Sequence, residues 1–367
     1  MEKKLKILHI NTGLVAGGVE RLLDDLLPLF KFKKNIEIEL FLLENKNNFF
    51  ENSLEKNGIK MIFSKYNNKF DIRNIFEIRK LIKKYDVIHT HIFPSQFYVP
   101  ISLIGLKKKP YLITTEHNTE NNRRKYNFLS KIEKYLYLKY NKIISISSET
   151  EIELKKWLRI GEEYKEKFII IENGINLNKF SIKKENVEKK FFEKERKNKI
   201  ITMIGRFDKQ KDQPTLIKAI KNLKDISLLL VGDGIRREEY EKLAKKYEVE
   251  NKIKFLGIRS DIPKILAITD ICVLSSNWEG FGLAAIEGMA TGKPLIASNV
   301  DGLKQIVEGA GIIFEKGNHK ELEKELYKLI KDKEFYNKIA FKCQERAKKY
   351  DIKLTFDKYL KLYMLKE

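Results

Sequence analysis

Cysteine and proline are scarce: two of the first and seven of the second in 367 residues. Cys272 and Cys343 lie far apart, and the opening MEKKLKILHI carries no apolar, cleavable leader. A disulfide framework and secretion are therefore not expected, and a reducing cytoplasm is. Long apolar runs are missing too. The longest candidate, Tyr98 to Leu106, contains Pro100 and falls well short of the roughly 18 residues a membrane span requires. No period of 20 to 50 residues recurs, which excludes solenoids and propellers. Nor does the chain hold an HExxH, a DxD, a Walker loop or a GxGxxG spacing. What is present is an ordinary globular composition, 43% hydrophobic and 11% aromatic, in a chain long enough for two domains.

Acidic residues are outnumbered, 51 against 73 Lys and Arg, for a net charge of +22. Such a surface attracts any polyanion. Residues 1–180 and 181–367 carry +11 each, so neither half is a basic module attached to a neutral one. The excess has two readings, a coding bias toward lysine or attraction to an anionic membrane; nucleic acid is a third, with no stripe or recognition motif to support it.

Short β-branched runs alternate with helical patterns along both halves. Leu5–Asn11, Ile36–Leu43, Lys60–Ser64, Val87–Ile92, Tyr111–Glu116, Ile143–Ile146 and Phe168–Glu172 read as strands. After a charged, non-periodic stretch, Lys179 to Lys199, the pattern restarts with Ile200–Ile204, Leu228–Val231, Lys254–Leu256, Ile271–Ser275, Leu295–Ala297 and Ile312–Phe314. Strands without alternation are buried on both faces, and β-α alternation winds into parallel sheets. The expectation is an α/β protein of two tandem doubly wound, Rossmann-like domains, 1–180 and 181–351. A final helix with apolar positions Ile352, Phe356, Tyr359, Leu360 and Tyr363 is expected to return to the first domain.

Ligands of such sheets sit past the strand ends, where the polar residues of this chain concentrate. Gly17-Gly18 opens a helix after the first strand, either as a simple turn or as an anion-binding N-terminus. His89 and His91 end the fourth strand on one face, a pair that suits a metal or merely satisfies backbone groups; no cysteine lies near. Thr114-Thr115-Glu116-His117-Asn118 ends the fifth. In the second half Gly205-Arg206-Phe207-Asp208-Lys209-Gln210-Lys211 offers a guanidinium and an ammonium that can converge on a diphosphate. Glu279-Gly280-Phe281-Gly282-Leu283-Ala284-Ala285-Ile286-Glu287 places one carboxylate at a turn and another among apolar neighbours, where an idle charge would be unfavourable.

Taken in order, GGVER at 17–21, TTEHN at 114–118, ENGIN at 172–176, GRFDKQKD at 205–212, VGDG at 231–234, FLG at 255–257 and EGFGLAAIE at 279–287 resemble the retaining nucleotide-sugar glycosyltransferases of family 4. These enzymes have the GT-B fold, two Rossmann-like domains facing across a cleft. The resemblance implies that Arg206 and Lys211 hold the donor diphosphate, with Gly205 in the same loop. It puts Glu287 on the ribose, Glu279 on the transferred sugar, and the backbone of Phe281, Gly282 and Leu283 beside sugar and phosphate. Gly17 and Gly18 would close on the diphosphate, His117 would meet the donor sugar, and Gly257 and Ile258 the base. It further implies a nucleotide-sugar co-substrate, UDP-linked by family frequency, no metal or other cofactor, and same-face transfer to a glycan acceptor. One departure is Asp301-Gly302-Leu303-Lys304-Gln305, where many relatives carry Gly-Gly-x-x-Glu.

Lys107, Lys108, Lys109, Arg123, Arg124 and Lys125, interleaved with Tyr126 and Phe128, suit either an ordinary packing helix with loop lysines or a membrane interface. The second reading implies a lipid-linked acceptor and a protein peripheral on the cytoplasmic face. The rivals are a nucleotide-sugar epimerase of the same fold and a nucleic-acid-binding protein.

Overall fold

A computed structural model describes residues 4–46, 48–119, 121–182 and 198–365. The described residues form two units by contact, the chain through Gly174 together with Ile352 onward, and Ile175 to Asp351. The boundary drawn at 180 thus moves to Gly174. The short 3-10 turn Leu177–Phe180 already belongs to the second unit, with Ile175 N bonded to Tyr350 O at 2.9 Å. Most of the charged stretch 179–199 lies outside the described residues.

The first unit holds seven strands, β1 (Leu5–Asn11), β2 (Ile36–Leu42), β3 (Lys60–Phe63), β4 (Val87–Thr90), β5 (Tyr111–Glu116), β6 (Lys142–Ser145) and β7 (Phe168–Ile170), in the order β3-β2-β1-β4-β5-β6-β7. All pairings are parallel. Both faces are covered, as continuous apolar runs require. Ile7, Ile38, Leu40, Val87 and Ile113 point into one core and Leu8, Phe41, Ile88, Leu112 and Ile143 into the other. The period of two is visible residue by residue.

The helix Ile352–Met364 covers the first of these cores. Ile352, Phe356, Tyr359, Leu362 and Tyr363 are buried in it, and Phe356 meets Phe30 at 4.7 Å between ring centres. Leu360, expected to pack with them, is only partly buried against the cluster.

The second unit holds six parallel strands, β8 (Lys199–Ile204), β9 (Ile226–Val231), β10 (Ile253–Phe255), β11 (Ile271–Leu274), β12 (Leu295–Ser298) and β13 (Ile312–Phe314), ordered β10-β9-β8-β11-β12-β13. In each sheet the order reverses between the first strand and the fourth. Those two switch points, β1/β4 and β8/β11, are where a doubly wound sheet opens a crevice.

The helices between the strands include Glu51–Lys56, Ser95–Ser102, Ser148–Leu158, Ile262–Ile268 and Lys333–Ala347. Two are very short, and Ser95–Ser102 runs through Pro100, a residue that argues against helix on local grounds. Among the described residues no helix is long and apolar enough to cross a membrane.

Candidate active site

In the second unit the loops after β8 and β11 flank the switch point and are bound to each other. Asn277 donates its backbone N–H to Gln210 O at 2.7 Å and its amide to Lys209 O at 2.8 Å, while Gln210 Nε2 donates to Trp278 O at 3.1 Å. On this frame Lys211 Nζ pairs with Glu279 Oε1, and Ser276 Oγ donates to the same oxygen at 2.8 Å. Both partners are withdrawn from solvent, with side-chain exposures of 16% and 6%. A low-dielectric setting strengthens such a pair and makes its disruption expensive. Gly205 leaves room for it, since a Cβ there would stand 3.0 Å from Lys211 Cγ.

Arg206 is held differently. Its side chain is 68% exposed, 3.4 Å from Asp208 Oδ2, and donates to Gln210 Oε1 at 3.3 Å. One cation is thus fixed and the other adjustable.

The helix Leu283–Ala290 starts after Gly282, which has φ 77°. Its first N–H groups lack intrahelical acceptors. The Phe281 ring faces the core against Tyr350, 5.6 Å between centres, so only its backbone is available to a ligand. Glu287 is buried on the same helix. Gly302 has φ 80°, and a Cβ there would come within 2.5 Å of Glu279 O. The turn in which Asp301 stands for a family glycine therefore packs against the Glu279 turn through Gly302, while Asp301 itself is exposed. Gly257 has φ 67° and accepts from Gly232 N at 2.9 Å; Ile258 is exposed beside it.

In the first unit Gly17 caps the helix Gly18–Phe30 in an extended conformation, and the Glu20 carboxylate folds back toward it. Glu20 Oε1 accepts from Asn11 Nδ2 at 3.3 Å. The 114–118 cluster resolves one residue at a time. Thr114 accepts from Gln96 Nε2 at 3.2 Å, Thr115 Oγ1 lies 2.7 Å from His89 Nε2, and Glu116 accepts from Tyr137 at 2.8 Å. His117 is different. Its Nε2 lies 3.3 Å from His91 Nδ1, but its buried Nδ1 has no hydrogen-bond partner among the described residues. Burial lowers its pKa from 6.5 to about 3, so the ring is neutral.

The basic segment divides. Arg123 is not available to an acceptor or a membrane: it pairs with the buried Glu133 at 2.8 Å and lies over the Phe93 ring at 4.3 Å. Arg124 donates to Thr119 O. Lys107, Lys108, Lys109 and Lys125 are exposed. Helix Phe128–Tyr137 leaves Phe128, Ile132 and Tyr135 in solvent, a stripe at i, i+4, i+7.

Ser276, Gln210 and Asn277, which hold the Lys211–Glu279 frame, carry no recognisable signal in sequence beyond standing inside the quoted loops. Tyr359 and Tyr363 read only as packing positions, yet the Tyr363 hydroxyl lies 3.0 Å from His9 Nε2 and 2.7 Å from His89 Nδ1, and the Tyr359 hydroxyl lies 3.3 Å from Thr115 Oγ1.

Residues 16–179 match the family model for Glycosyltransferase Family 4, and residues 184–349 the model for Glycosyl transferases group 1. An Escherichia coli UDP-Gal:alpha-D-GlcNAc-diphosphoundecaprenol alpha-1,3-galactosyltransferase is 26% identical over 388 residues, covering 98% of this chain and 97% of that one. A Campylobacter jejuni 4-alpha-N-acetylgalactosaminyltransferase acting on N-acetylgalactosamine-N,N'-diacetylbacillosaminyl-diphospho-undecaprenol is also 26% identical, covering 98% and 99%. Among solved structures, Anabaena HepE in complex with UDP-glucose aligns with a TM-score of 0.85 at 20% identity over 98% of this chain and 99% of that one. That likeness identifies the two-domain architecture as the GT-B fold. With both halves matched in order, the chain belongs to the group 1, family 4 glycosyltransferases.

Proposed function

We propose that this glycosyltransferase moves a hexose or N-acetylhexosamine from a UDP-sugar to a hydroxyl of a lipid-linked glycan, with retention of anomeric configuration and without a metal. The observation that carries the reading is the Lys211–Glu279 pair at the switch point of the second unit, with Glu287 buried on the helix that follows. Support for the donor comes from HepE, solved with UDP-glucose. Support for the acceptor comes from the diphosphoundecaprenol-linked substrates in the names of the two bacterial relatives.

In this reading the donor diphosphate draws Lys211 from Glu279 and recruits the adjustable Arg206. Glu279 is thereby freed to accept from hydroxyls of the sugar, and Glu287 accepts from the ribose. The N–H groups at Phe281, Gly282 and Leu283 face sugar and phosphate, and Gly257 and Ile258 border the base. In the first unit Gly17 and Gly18 offer backbone N–H groups to phosphate, and His117 offers its unpartnered nitrogen to the sugar. The acceptor oxygen attacks the anomeric carbon on the face the diphosphate leaves. The C–O bond to phosphate breaks, the new C–O bond forms, and the acceptor proton passes to the departing phosphate oxygen. Two cations supply the charge stabilisation that a metal supplies elsewhere, and each is expected to be worth about 10²–10³ in rate.

The exposed Phe128, Ile132 and Tyr135, with Lys125 and the Lys107–Lys109 cluster, suit peripheral contact with anionic lipid, where aromatic side chains and lysines add apolar and Coulombic terms. Thermal stabilisation by UDP-, GDP-, ADP- and dTDP-sugars in EDTA tests the donor, because ligand binding raises apparent stability by mass action. A shift with the UDP series that Arg206→Ala abolishes is expected; a shift only with another base, or only with added metal, refutes the corresponding part. NMR of the product anomer tests retention.

A further inference from the structure

The net charge of the first unit is concentrated. Residues 65–84, 104–109 and 121–139 hold sixteen Lys and Arg against three Asp and Glu, +13 in 45 residues, while the other 129 residues through Gly174 sum to −3. A coding bias toward lysine would spread the excess along the chain. The same segments hold the exposed apolar side chains. Among the described residues through Gly174, eight of the twelve large hydrophobics left in solvent lie in them, Phe70, Ile72, Phe76 and Ile104 beside four more at residues 126–135. Coinciding charge and apolar exposure mark a contact surface rather than scattered residues.

The fold brings the three segments together. Helix Asn74–Leu81, helix Ser95–Ser102 with Ile104 just past its end, and helix Phe128–Tyr137 pack side by side. They cover one face of the sheet, where Ile78, Val99, Leu103 and Tyr137 share a single core. Arg79 ties the first helix to the second, donating from Nη1 to Ser102 O at 2.7 Å and to Ile104 O at 2.6 Å. Phe70 stands 6.3 Å from Phe93 between ring centres, and the Arg123 guanidinium lies over Phe93 at 4.3 Å and Phe97 at 5.4 Å. With their inner sides buried in one core, the outer sides of the three helices point away from the sheet together.

The acids of this face are engaged within it. Asp71 pairs with Arg73 at 2.7 Å, Glu133 with Arg123 at 2.8 Å, and Glu77 accepts from Ser64 Oγ at 3.2 Å. Lys65, Lys80, Lys83, Lys84, Lys131 and Lys139 are exposed. Nucleic acid and an anionic bilayer both attract such a face. The phosphates of a nucleic acid reward the cations but gain nothing from exposed aliphatic side chains such as Ile72, Ile104 and Ile132. A bilayer rewards both, because apolar groups enter the headgroup boundary while lysines stay at the anionic surface.

We propose that helix Asn74–Leu81 and residues 70–72 before it form a second lipid contact, so that the first unit docks on anionic bilayers through the whole three-helix face and not through helix Phe128–Tyr137 alone. The identity of the partner rests on the lipid-contact reading given above; the second contact rests on the placement of charge and apolar surface. Two contacts, one on either side of helix Ser95–Ser102, fix the tilt of the unit on the membrane, which a single helix leaves free.

The test is binding of the full chain to vesicles of one part phosphatidylglycerol to two parts phosphatidylcholine, against phosphatidylcholine alone. Binding to the anionic vesicles only, weakening as salt rises, is expected. Lys80→Ala, Lys83→Ala and Lys84→Ala together are expected to lower that affinity roughly 10- to 100-fold, each lysine near an anionic surface being worth about fivefold. Lys242→Ala, Lys245→Ala and Lys246→Ala remove the same charge from the second unit and are expected to change it by less than about twofold. All six lysines are exposed, so both triple variants should melt like the parent protein. An environment-sensitive dye on Phe76→Cys or on Ile132→Cys reports insertion directly, since the native Cys272 and Cys343 are buried and do not compete for label. A blue shift on anionic vesicles is expected at both positions. A shift at 132 without one at 76 overturns the second contact and leaves the lipid reading standing; equal losses from the two triple variants overturn it in favour of diffuse charge. No vesicle binding, or salt-sensitive binding of duplex DNA in its place, overturns both. Vesicle binding with both shifts but no transfer to a diphosphoundecaprenol-linked acceptor refutes the acceptor reading and leaves the docking face standing.

Discussion

Breaking the Lys211–Glu279 pair separates its structural part from its catalytic part. Lys211→Ala leaves Glu279, 6% exposed, without its counter-ion. Removing one partner of a buried pair destabilises by about 3–5 kcal/mol, and two features here reduce that figure. Ser276 Oγ still donates to the carboxylate at 2.8 Å, and Lys211 itself retains 16% exposure. About 2–3 kcal/mol is the resulting expectation for the single variant. Glu279→Ala strands the ammonium at the more accessible end and is expected to be milder, about 1–2 kcal/mol. The double variant buries neither charge, so its loss should fall short of the sum by about 1–2 kcal/mol, the range of coupled neighbours. The assay is urea unfolding of all four species in a Trp157→Phe background, which leaves Trp278, next to the pair, as the single indole reporter of the two the chain contains. Additive losses, within about 0.5 kcal/mol, would mean that the contact contributes no net stability, and the argument that the donor must compete with Glu279 for Lys211 would fail. Activity should follow a different pattern, with Lys211→Ala reducing kcat by about 10²–10³ even where the fold is retained.

Glu287→Gln removes a charged acceptor and is expected to weaken UDP-sugar binding by about 10- to 100-fold, read by calorimetry; unchanged affinity would remove Glu287 from the donor site. The buried histidines of the first unit predict acid sensitivity. His9 and His117 have folded-state pKa values of about 3 against 6.5 when unfolded, so the unfolded chain takes up protons that the native one excludes. Stability is complete above 6.5 and falls as pH drops from there toward 3, by about 1.4 kcal/mol per histidine per pH unit; Trp157 fluorescence melts that are flat from pH 7 to 5 would contradict it. Deleting residues 352–367 removes Phe356, Tyr359, Leu362 and Tyr363 from a core in which all are buried, and is expected to unfold the first unit. A fully active, cooperatively melting truncation would refute that packing role.

Thirteen strands and both doubly wound units are legible in the sequence because parallel strands buried on two faces need continuous apolar runs, and turns and helices must separate them. The strand ends shift by only one or two residues. The loops that matter are legible for the same reason: whatever follows the first and fourth strands of such a sheet lies at its switch point, so Arg206, Lys211 and Glu279 stand out by position as well as by residue type, while His117 follows the neighbouring fifth strand.

Other features required the fold. Arg123 looks in sequence like its neighbours Arg124 and Lys125, and only tertiary packing against Glu133 and Phe93 withdraws it from the surface. The short helices Glu51–Lys56 and Ile262–Ile268 are too brief for a periodicity of 3.6 to register, and their helicity comes from tertiary packing rather than from propensity. Tyr359 and Tyr363 show a helical spacing that announces burial, and burial is what they have. That the Tyr363 hydroxyl meets His9 and His89 and the Tyr359 hydroxyl meets Thr115 depends on contacts 244 to 354 residues apart along the chain. Local pattern determined where this chain is apolar, where it turns and which loops carry charge. Tertiary structure decided which of the charges are already paired and which buried nitrogen still lacks a partner, because pairing depends on distances that separation along the chain does not encode.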